Sequence, residues 1–157
     1  MTAMKLFKIT QEHHDDFRLL LTRYYREGED AGTPQAEMDD FISYLFSMCT
    51  DGTIEGCIAY ADRPVGFVIW NIDTADSPFS NWPGRGTILE IGVIPESRKT
   101  GLGRMLAAHA EDKMLKAGIT SFYVCAYGPA VEFWKKCGYE KTDRIADNDL
   151  PIYAKDL

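Results

Sequence analysis

The spacing of apolar residues in the first third of the chain predicts a short strand followed by two helices. Residues 5–10 (KLFKIT) alternate between polar and apolar positions as a strand does, and Thr10 is suited to cap the helix that follows. A second helix is predicted to begin at Thr33-Pro34, because proline is tolerated at the first helical position. The apolar stripes of the two helices are Phe17, Leu20, Leu21 and Tyr24, and then Met38, Phe41, Ile42, Leu45 and Cys49.

The middle of the chain predicts a hairpin, a long loop and a further strand. The apolar runs at residues 56–62 and 65–73 read as two strands with their turn at Arg63-Pro64. Residues 74–86 are rich in Pro, Gly, Ser and Asn, which is typical of a surface loop, and loops of this length are often functional. The run TILEIGVIP, residues 87–95, predicts a strand that Pro95 ends.

The last third alternates between helices and strands. A helix is predicted from Gly101 to Gly118, then a strand at residues 120–127, a short helix from Pro129 and two closing strands. The stripe of the long helix is Leu102, Met105, Leu106, Ala110, Met114 and Ala117. This order of elements predicts a mixed α/β fold with helices on both faces of one sheet.

Composition narrows the class of protein. A chain of 157 residues with 45% hydrophobic content is expected to form one globular domain over residues 1–157. It has no long apolar run and no signal-peptide pattern, so we expect a cytoplasmic protein with no membrane partner. The net charge of -7 argues against nucleic acid and favours a cationic small molecule. The four cysteines and three histidines show no spacing typical of a metal site.

The candidate chemistry begins in the segment IPESRKTGLGRML, residues 94–106. A strand that ends in a loop and opens a helix presents unpaired backbone amides, and glycines let an anion such as pyrophosphate approach them. The alternative is that Gly101 and Gly103 only permit a tight turn. A dinucleotide fingerprint is excluded by Leu106 and Ser121, and no Walker-type loop is present. Charge at the rim of the loop would come from Arg98, Lys99 and Arg104.

Two motifs together resemble the GNAT superfamily of N-acetyltransferases. Residues 98–103 (RKTGLG), preceded by IGVIPES, resemble its acyl-CoA loop, and residues 130–140 (AVEFWKKCGYE) resemble a later motif of the family. The resemblance covers nearly the whole chain and implies the GNAT fold, a central mixed sheet with one splayed strand pair. It implies direct transfer of acetyl from acetyl-CoA to a primary amine of a small molecule, and a homodimer is a further expectation. The alternatives are a non-catalytic acyl-CoA-binding or sensing module, and a peptide or protein N-terminal acetyltransferase.

The resemblance also assigns the residues that would bind acetyl-CoA. The backbone of Ile91 and Val93 would pair with the pantetheine arm, and amides in the glycine loop would hold the pyrophosphate. Ala130, Phe133 and Trp134 would line the far side of the arm. The loop residues in this assignment are Arg98, Lys99, Thr100, Gly101, Leu102, Gly103 and Arg104.

The catalytic residues are less well defined by the pattern. Glu90 is the carboxylate on the strand before the loop and is the candidate base, although strand alternation places it opposite to Leu89 and Thr87, the parity that faces the acceptor in relatives. The alternative for Glu90 is a structural acid that pairs with a basic neighbour or faces solvent. Trp134 stands where the family often has a tyrosine acid.

The general acid therefore has three candidates. They are Tyr127, Tyr123 on the same strand, and water; Tyr127 could instead pack on the cofactor or the acceptor. Cys125 lies in an apolar strand that would raise its pKa, which disfavours a covalent route. The resemblance places the acceptor pocket near Tyr24, Tyr25, Glu27, Glu29, Asp30, Asn81 and Trp82.

Overall fold

A computed structural model describes residues 3–157, apart from the side chain of Glu29. Within these residues the strands are β1 Lys5–Lys8, β2 Glu55–Tyr60, β3 Pro64–Ile72, β4 Gly86–Val93, β5 Ser121–Cys125, β6 Glu140–Ile145 and β7 Pro151–Asp156. The α-helices are α1 His14–Glu27, α2 Gln35–Asp51, α3 Leu102–Lys116 and α4 Ala130–Lys136. Short 3₁₀ turns occupy Gln11–His13, Glu29–Gly32 and Pro95–Ser97.

The seven strands form one sheet in the order β1-β2-β3-β4-β5-β7-β6. The β1–β2, β5–β7 and β6–β7 pairs are antiparallel, whereas β4 pairs with β5 in parallel, with Gly86 opposite Phe122 and Thr87 opposite Tyr123. The sheet is therefore mixed, which confirms the predicted α/β class. No helix in the described part of the chain is long and apolar enough to cross a bilayer.

The chain divides into two compact units. The first comprises the chain up to Ile69 together with Glu90–Leu106, and the second comprises Trp70–Leu89 and Ala107–Leu157. The largest fully buried side chains of the first unit include Phe17, Leu21, Ile42, Leu45, Ile58 and Phe67. In the second unit Phe122, Tyr123 and Tyr139 are buried to the same degree.

The predicted helices are present, with small corrections at their ends and on their flanks. Thr10 caps the 3₁₀ turn that precedes α1, where its backbone amide donates to His13 Nδ1 at 3.0 Å. Phe41 is 38% exposed and Met105 is 41% exposed, so both predictions of burial are wrong. In α3 the buried side chains recur every four residues from Leu102, and Met105 lies beside that row. Ala117, also predicted to be buried, is exposed as well.

Gly92 on β4 lets α1 approach the sheet closely within the first unit. A Cβ atom on Gly92 would lie 2.6 Å from Phe67 Cε1 and 2.8 Å from Tyr24 Cδ1. The rings of Tyr24 and Phe67 meet edge to face with centroids 5.4 Å apart. Because real Cβ atoms do not come this close to other atoms, any side chain at this position would separate the two rings.

We predict that Gly92→Ala lowers the free energy of unfolding by about 1–3 kcal/mol, because two packed rings must move. The measurement is the urea midpoint of the purified variant. Gly32→Ala is the matched control, since a Cβ there meets nothing within 4 Å, and it should change stability by less than about 0.5 kcal/mol. Equal effects of the two substitutions would contradict the packing argument.

Candidate active site

Glu90 lies on β4 against the two neighbouring tyrosines of α1. The hydroxyl of Tyr25 donates to Glu90 Oε1 at 3.2 Å, and the hydroxyl of Tyr24 also donates to this carboxylate. Glu90 has the same strand parity as Gly92, which also faces Tyr24. The described partners of Glu90 are thus tyrosines, and not the basic neighbour of the structural alternative.

The environment of Glu90 changes its acidity. Burial raises the pKa of Glu90 from 4.5 to about 7, and the negative charge of Asp30 acts in the same direction. The hydrogen bonds from Tyr24 and Tyr25 oppose this shift because they favour the ionised form. Burial and the charge of Glu90 in turn raise the pKa of Tyr25. A carboxyl with a pKa near 7 is suited to accept a proton at neutral pH.

The glycine loop connects β4 to α3 in the first unit. The first backbone bond of α3 runs from the amide of Met105 to the carbonyl of Gly101 at 3.0 Å, so the amides of residues 101–104 precede the helical ladder. Lys99 and Gly101 have φ angles of 63° and 86°, and a Cβ on Gly101 would meet nothing within 4 Å. Amides at the start of a helix beside an open glycine are suited to bind an anion.

The side chain of Arg98 is bound by partners within the first unit, whereas the sequence suggested that it would supply charge at the rim of the loop. Its Nε donates to the carbonyl of Val93 at 3.0 Å, and its Nη2 donates to Glu27 on α1. Arg98 therefore holds the loop to β4 and to α1. It also occupies a carbonyl of Val93, one of the two residues predicted to pair with pantetheine.

A chain of alternating charges continues from this contact along the surface of the first unit. Arg23 lies 3.9 Å from Glu27 and also pairs with Glu96, which in turn binds Arg63 at 3.1 Å. These side chains are partly exposed, so each pair contributes little to stability by itself. Together they connect α1 to the loop and to Arg63 in the turn between β2 and β3. The adjacent cleft is lined by Leu20, Arg23, Tyr24, Glu27, Phe67, Gly92, Val93, Ile94 and Arg98.

The remaining predicted cofactor residues lie on α4 in the second unit. Trp134 is buried, and its ring contacts Tyr139 edge to face at a centroid distance of 5.2 Å. Phe133 is half-buried beside Trp134, and Ala130 is exposed at the start of the helix. Trp134 is thus mainly a core residue, whereas Ala130 and Phe133 present accessible surface.

Tyr127 and Tyr123, the two candidate acids, have opposite environments. Tyr127 follows β5 and is 39% exposed. Tyr123 is 1% exposed and donates to Asp73 Oδ2 at 2.6 Å, and burial together with this carboxylate raises the pKa of Tyr123. The hydroxyl of Tyr123 thus serves a buried carboxylate, which leaves Tyr127 as the more accessible of the two candidates. Burial also raises the pKa of the Cys125 thiol to about 11, as the apolar strand predicted.

Asp73 is the residue that the sequence reasoning missed. The same Oδ2 accepts the amides of Asn81 and Trp82 at 3.0 and 2.8 Å, which anchors the long loop. Its sequence signal was weak, a lone carboxylate at the end of an apolar strand. The ring of Trp82 lies 3.9 Å from the guanidinium of Arg85 and 4.0 Å from that of Arg144. The loop tip proposed for the acceptor is thus already occupied by internal contacts.

The other predicted acceptor residues lie in the first unit. Tyr24 and Tyr25 contact Glu90, Glu27 binds Arg98, and Asp30 is exposed. The side chain of Glu29 lies outside the described residues.

A family model described as the acetyltransferase (GNAT) family matches residues 9–139. No curated protein sequence matches the chain significantly.

Similar solved structures share the fold at low sequence identity. The PaiA N-acetyltransferase of Thermoplasma acidophilum, in complex with coenzyme A, is 16% identical with a TM-score of 0.75 over 99% of both chains. A GCN5-related N-acetyltransferase of Ralstonia eutropha JMP134 is 23% identical with a TM-score of 0.74, over 92% of this chain and 97% of that chain. AAC(6')-Iy, bound to the bisubstrate analogue CoA-S-monomethyl-acetylneamine, is 18% identical with a TM-score of 0.70, over 92% and 95%.

The acidity of Glu90 predicts how stability depends on pH. Between its ordinary pKa of 4.5 and its folded value of about 7, the folded state binds more protons than the unfolded state, so the stability from protonated Glu90 is lost as the pH rises. The glutamine of Glu90→Gln does not ionise, so this variant does not lose that stability. We predict that its free energy of unfolding, relative to that of the parent, rises by about 2–3 kcal/mol between pH 4 and pH 8.

Urea unfolding at several pH values measures this difference. Glu140→Gln, on the exposed side of β6, is the control and should show no comparable trend. A stability difference between Glu90→Gln and the parent that is constant with pH would contradict the assigned acidity.

Proposed function

We propose that this chain, which belongs to the acetyltransferase (GNAT) family, transfers acetyl directly from acetyl-CoA to a primary amine of a small cationic molecule. The chain is an acetyl-CoA-dependent acetyltransferase. We propose further that it acts as one domain over residues 1–157. The observation that carries the proposed function is the carboxyl of Glu90, which is half-buried against two tyrosines and has a pKa near 7.

Glu90 is the proposed general base. An amine attacks a thioester only when its nitrogen is neutral, so the acceptor must lose a proton before or during attack. Glu90 is about half ionised at neutral pH and takes this proton, directly or through one water. The hydrogen bonds from Tyr24 and Tyr25 hold the carboxylate in place until it does so.

The glycine loop is the proposed site for the diphosphate of the co-substrate. Acetyl-CoA supplies the acetyl group as an activated thioester. The amides of residues 101–104 and the backbone of Lys99 and Thr100 would bind the diphosphate, because they are open to a bulky anion at a helix start. Ile91 and Val93 would pair with the pantetheine arm through their backbones.

Proton delivery to the leaving thiolate is assigned to Tyr127 or to water. Tyr127 is accessible and follows β5, whereas Tyr123 is committed to Asp73. The raised pKa of Cys125 keeps its thiol protonated at neutral pH, so a cysteine intermediate is disfavoured and transfer is direct.

A cationic acceptor is supported by charge. Glu90 and Asp30 place negative potential at the end of α1, and the chain as a whole carries a net charge of -7. AAC(6')-Iy, which shares the fold, binds a bisubstrate analogue, CoA-S-monomethyl-acetylneamine.

We predict that Glu90→Gln lowers kcat at pH 8 by about 100-fold or more, because a positioned base contributes roughly 10²–10⁴-fold. In the parent enzyme kcat/KM should rise with pH up to about 7, and this limb should be absent from the variant. The rise due to the amine itself at higher pH is common to both proteins. Thiol release over a panel of polyamines, simple amines and peptides measures these rates, with Glu140→Gln as control. A full acid limb in Glu90→Gln, or turnover with peptides alone, would overturn the proposal.

We predict that Gly101→Ala weakens coenzyme A binding by about tenfold, because alanine strains a left-handed backbone and displaces the amides around it. Gly84→Ala is the matched control, since Gly84 has a φ of 95° with nothing within 4 Å of a Cβ but lies in a different loop. It should share the loss of stability and leave affinity within about twofold. Calorimetric titration with coenzyme A distinguishes them, and equal affinities would remove the glycine loop from the binding site.

A further inference from the structure

We infer that Tyr25 is a positioning residue for Glu90, which it holds by a hydrogen bond from α1. The inference rests on the proposed role of Glu90 as base. It assigns to α1 the setting of the pH range in which the enzyme works.

The hydroxyl of Tyr25 is held in a fixed position. Its ring is buried, with Tyr24 at a centroid distance of 5.2 Å and Phe41 at 5.9 Å, both edge to face. Rings on both sides restrict its rotation, so the hydroxyl keeps its direction toward Glu90 Oε1. A donor that need not be reoriented stabilises the carboxylate at little entropic cost.

The groups that act on Glu90 come from α1 and the 3₁₀ turn that follows it. Tyr24 and Tyr25 donate hydrogen bonds that favour the carboxylate, whereas Asp30 disfavours it by repulsion. The nearby cations Arg23 and Arg98 are each paired with glutamates, Glu96 and Glu27, so their charge is largely offset. Tyrosines and Asp30 therefore act on Glu90 in opposite senses.

The opposition has a chemical purpose in this reaction. The base must be ionised to accept the proton of the acceptor, yet a carboxylate stabilised too well is a weak base. Tyr25 keeps Glu90 ionised at neutral pH, and burial together with Asp30 preserves its basicity. The balance depends on the last residues of α1 and on the turn Glu29–Gly32.

The pH profile of kcat/KM tests the inference. Tyr25→Phe should move the acid limb upward by about one pH unit, which is about a tenfold loss on the limb that is mostly recovered at alkaline pH. A shift confined to the acid limb is expected only if Tyr25 acts through the ionisation of Glu90, since a structural role would lower rates at every pH.

Tyr60→Phe is the matched control. The hydroxyl of Tyr60 also donates to a carboxylate in the same unit, Asp16 Oδ2, at 2.6 Å. Loss of this hydrogen bond should leave the acid limb in place. An acid limb that stays in place in Tyr25→Phe, or rates lowered equally at every pH, would overturn the inference. Should Tyr25→Phe not fold, Phe41→Ala is measured instead, because it removes one of the rings that hold Tyr25 and lies 38% exposed. An upward shift of its acid limb supports the inference, and an unmoved limb overturns it.

Two further comparisons separate this inference from the proposed function. If Glu90→Gln keeps the acid limb, the proposed function fails. If Glu90→Gln loses the limb and Tyr25→Phe does not move it, only the present inference fails. A readout without activity is the pH dependence of stability for Tyr25→Phe against Tyr25→Phe/Glu90→Gln. The stability difference between these two should level off at a higher pH than the difference between the parent and Glu90→Gln, because it stops changing at the folded-state pKa of Glu90.

Discussion

The contact between α1 and the bare stretch of β4 at Gly92 is the constraint on which the first unit depends. Because Gly92 has no side chain, the rings of Tyr24 and Phe67 close over the strand, and α1 lies near enough for Tyr25 to reach Glu90. The same closeness removes water from the carboxyl and raises its pKa. The absence of a side chain at Gly92 thus permits both the packing of α1 on β4 and the raised pKa of Glu90 on which the proposed chemistry depends.

The charge chain from Arg98 to Arg63 extends this constraint to the glycine loop. Arg98 bridges the end of β4 and α1, so the same helix that confines Glu90 also holds the loop. Pairing of coenzyme A with Val93 would have to share a carbonyl that Arg98 already uses. The proposed base and the proposed diphosphate site are thereby linked through α1.

Sequence patterns reached most of the fold but only part of the site. Periodicity and turn signals located the seven strands and four α-helices of the described residues, because burial on one face imposes a spacing that is visible in the chain. The flanking residues Phe41 and Met105 were misplaced, since periodicity defines a stripe and not its width. Strand alternation put Glu90 on the face opposite to Leu89, and the structure places that face against α1. The partnership of Glu90 with Tyr25 joins residues 65 positions apart, and no local pattern encodes such a pair. The commitment of Tyr123 to Asp73 was hidden for the same reason.

The carboxylate of Asp73 has a topological consequence for the long loop. One oxygen of Asp73 accepts hydrogen bonds from the amides of both Asn81 and Trp82. These bonds close residues 74–80 into a small loop that is separate from the strand ends. Closure of a short ring is inexpensive in chain entropy and rises slowly with length. Evolution could therefore lengthen residues 74–80 freely, as an independent appendage, without disturbing the point at which β4 enters the sheet.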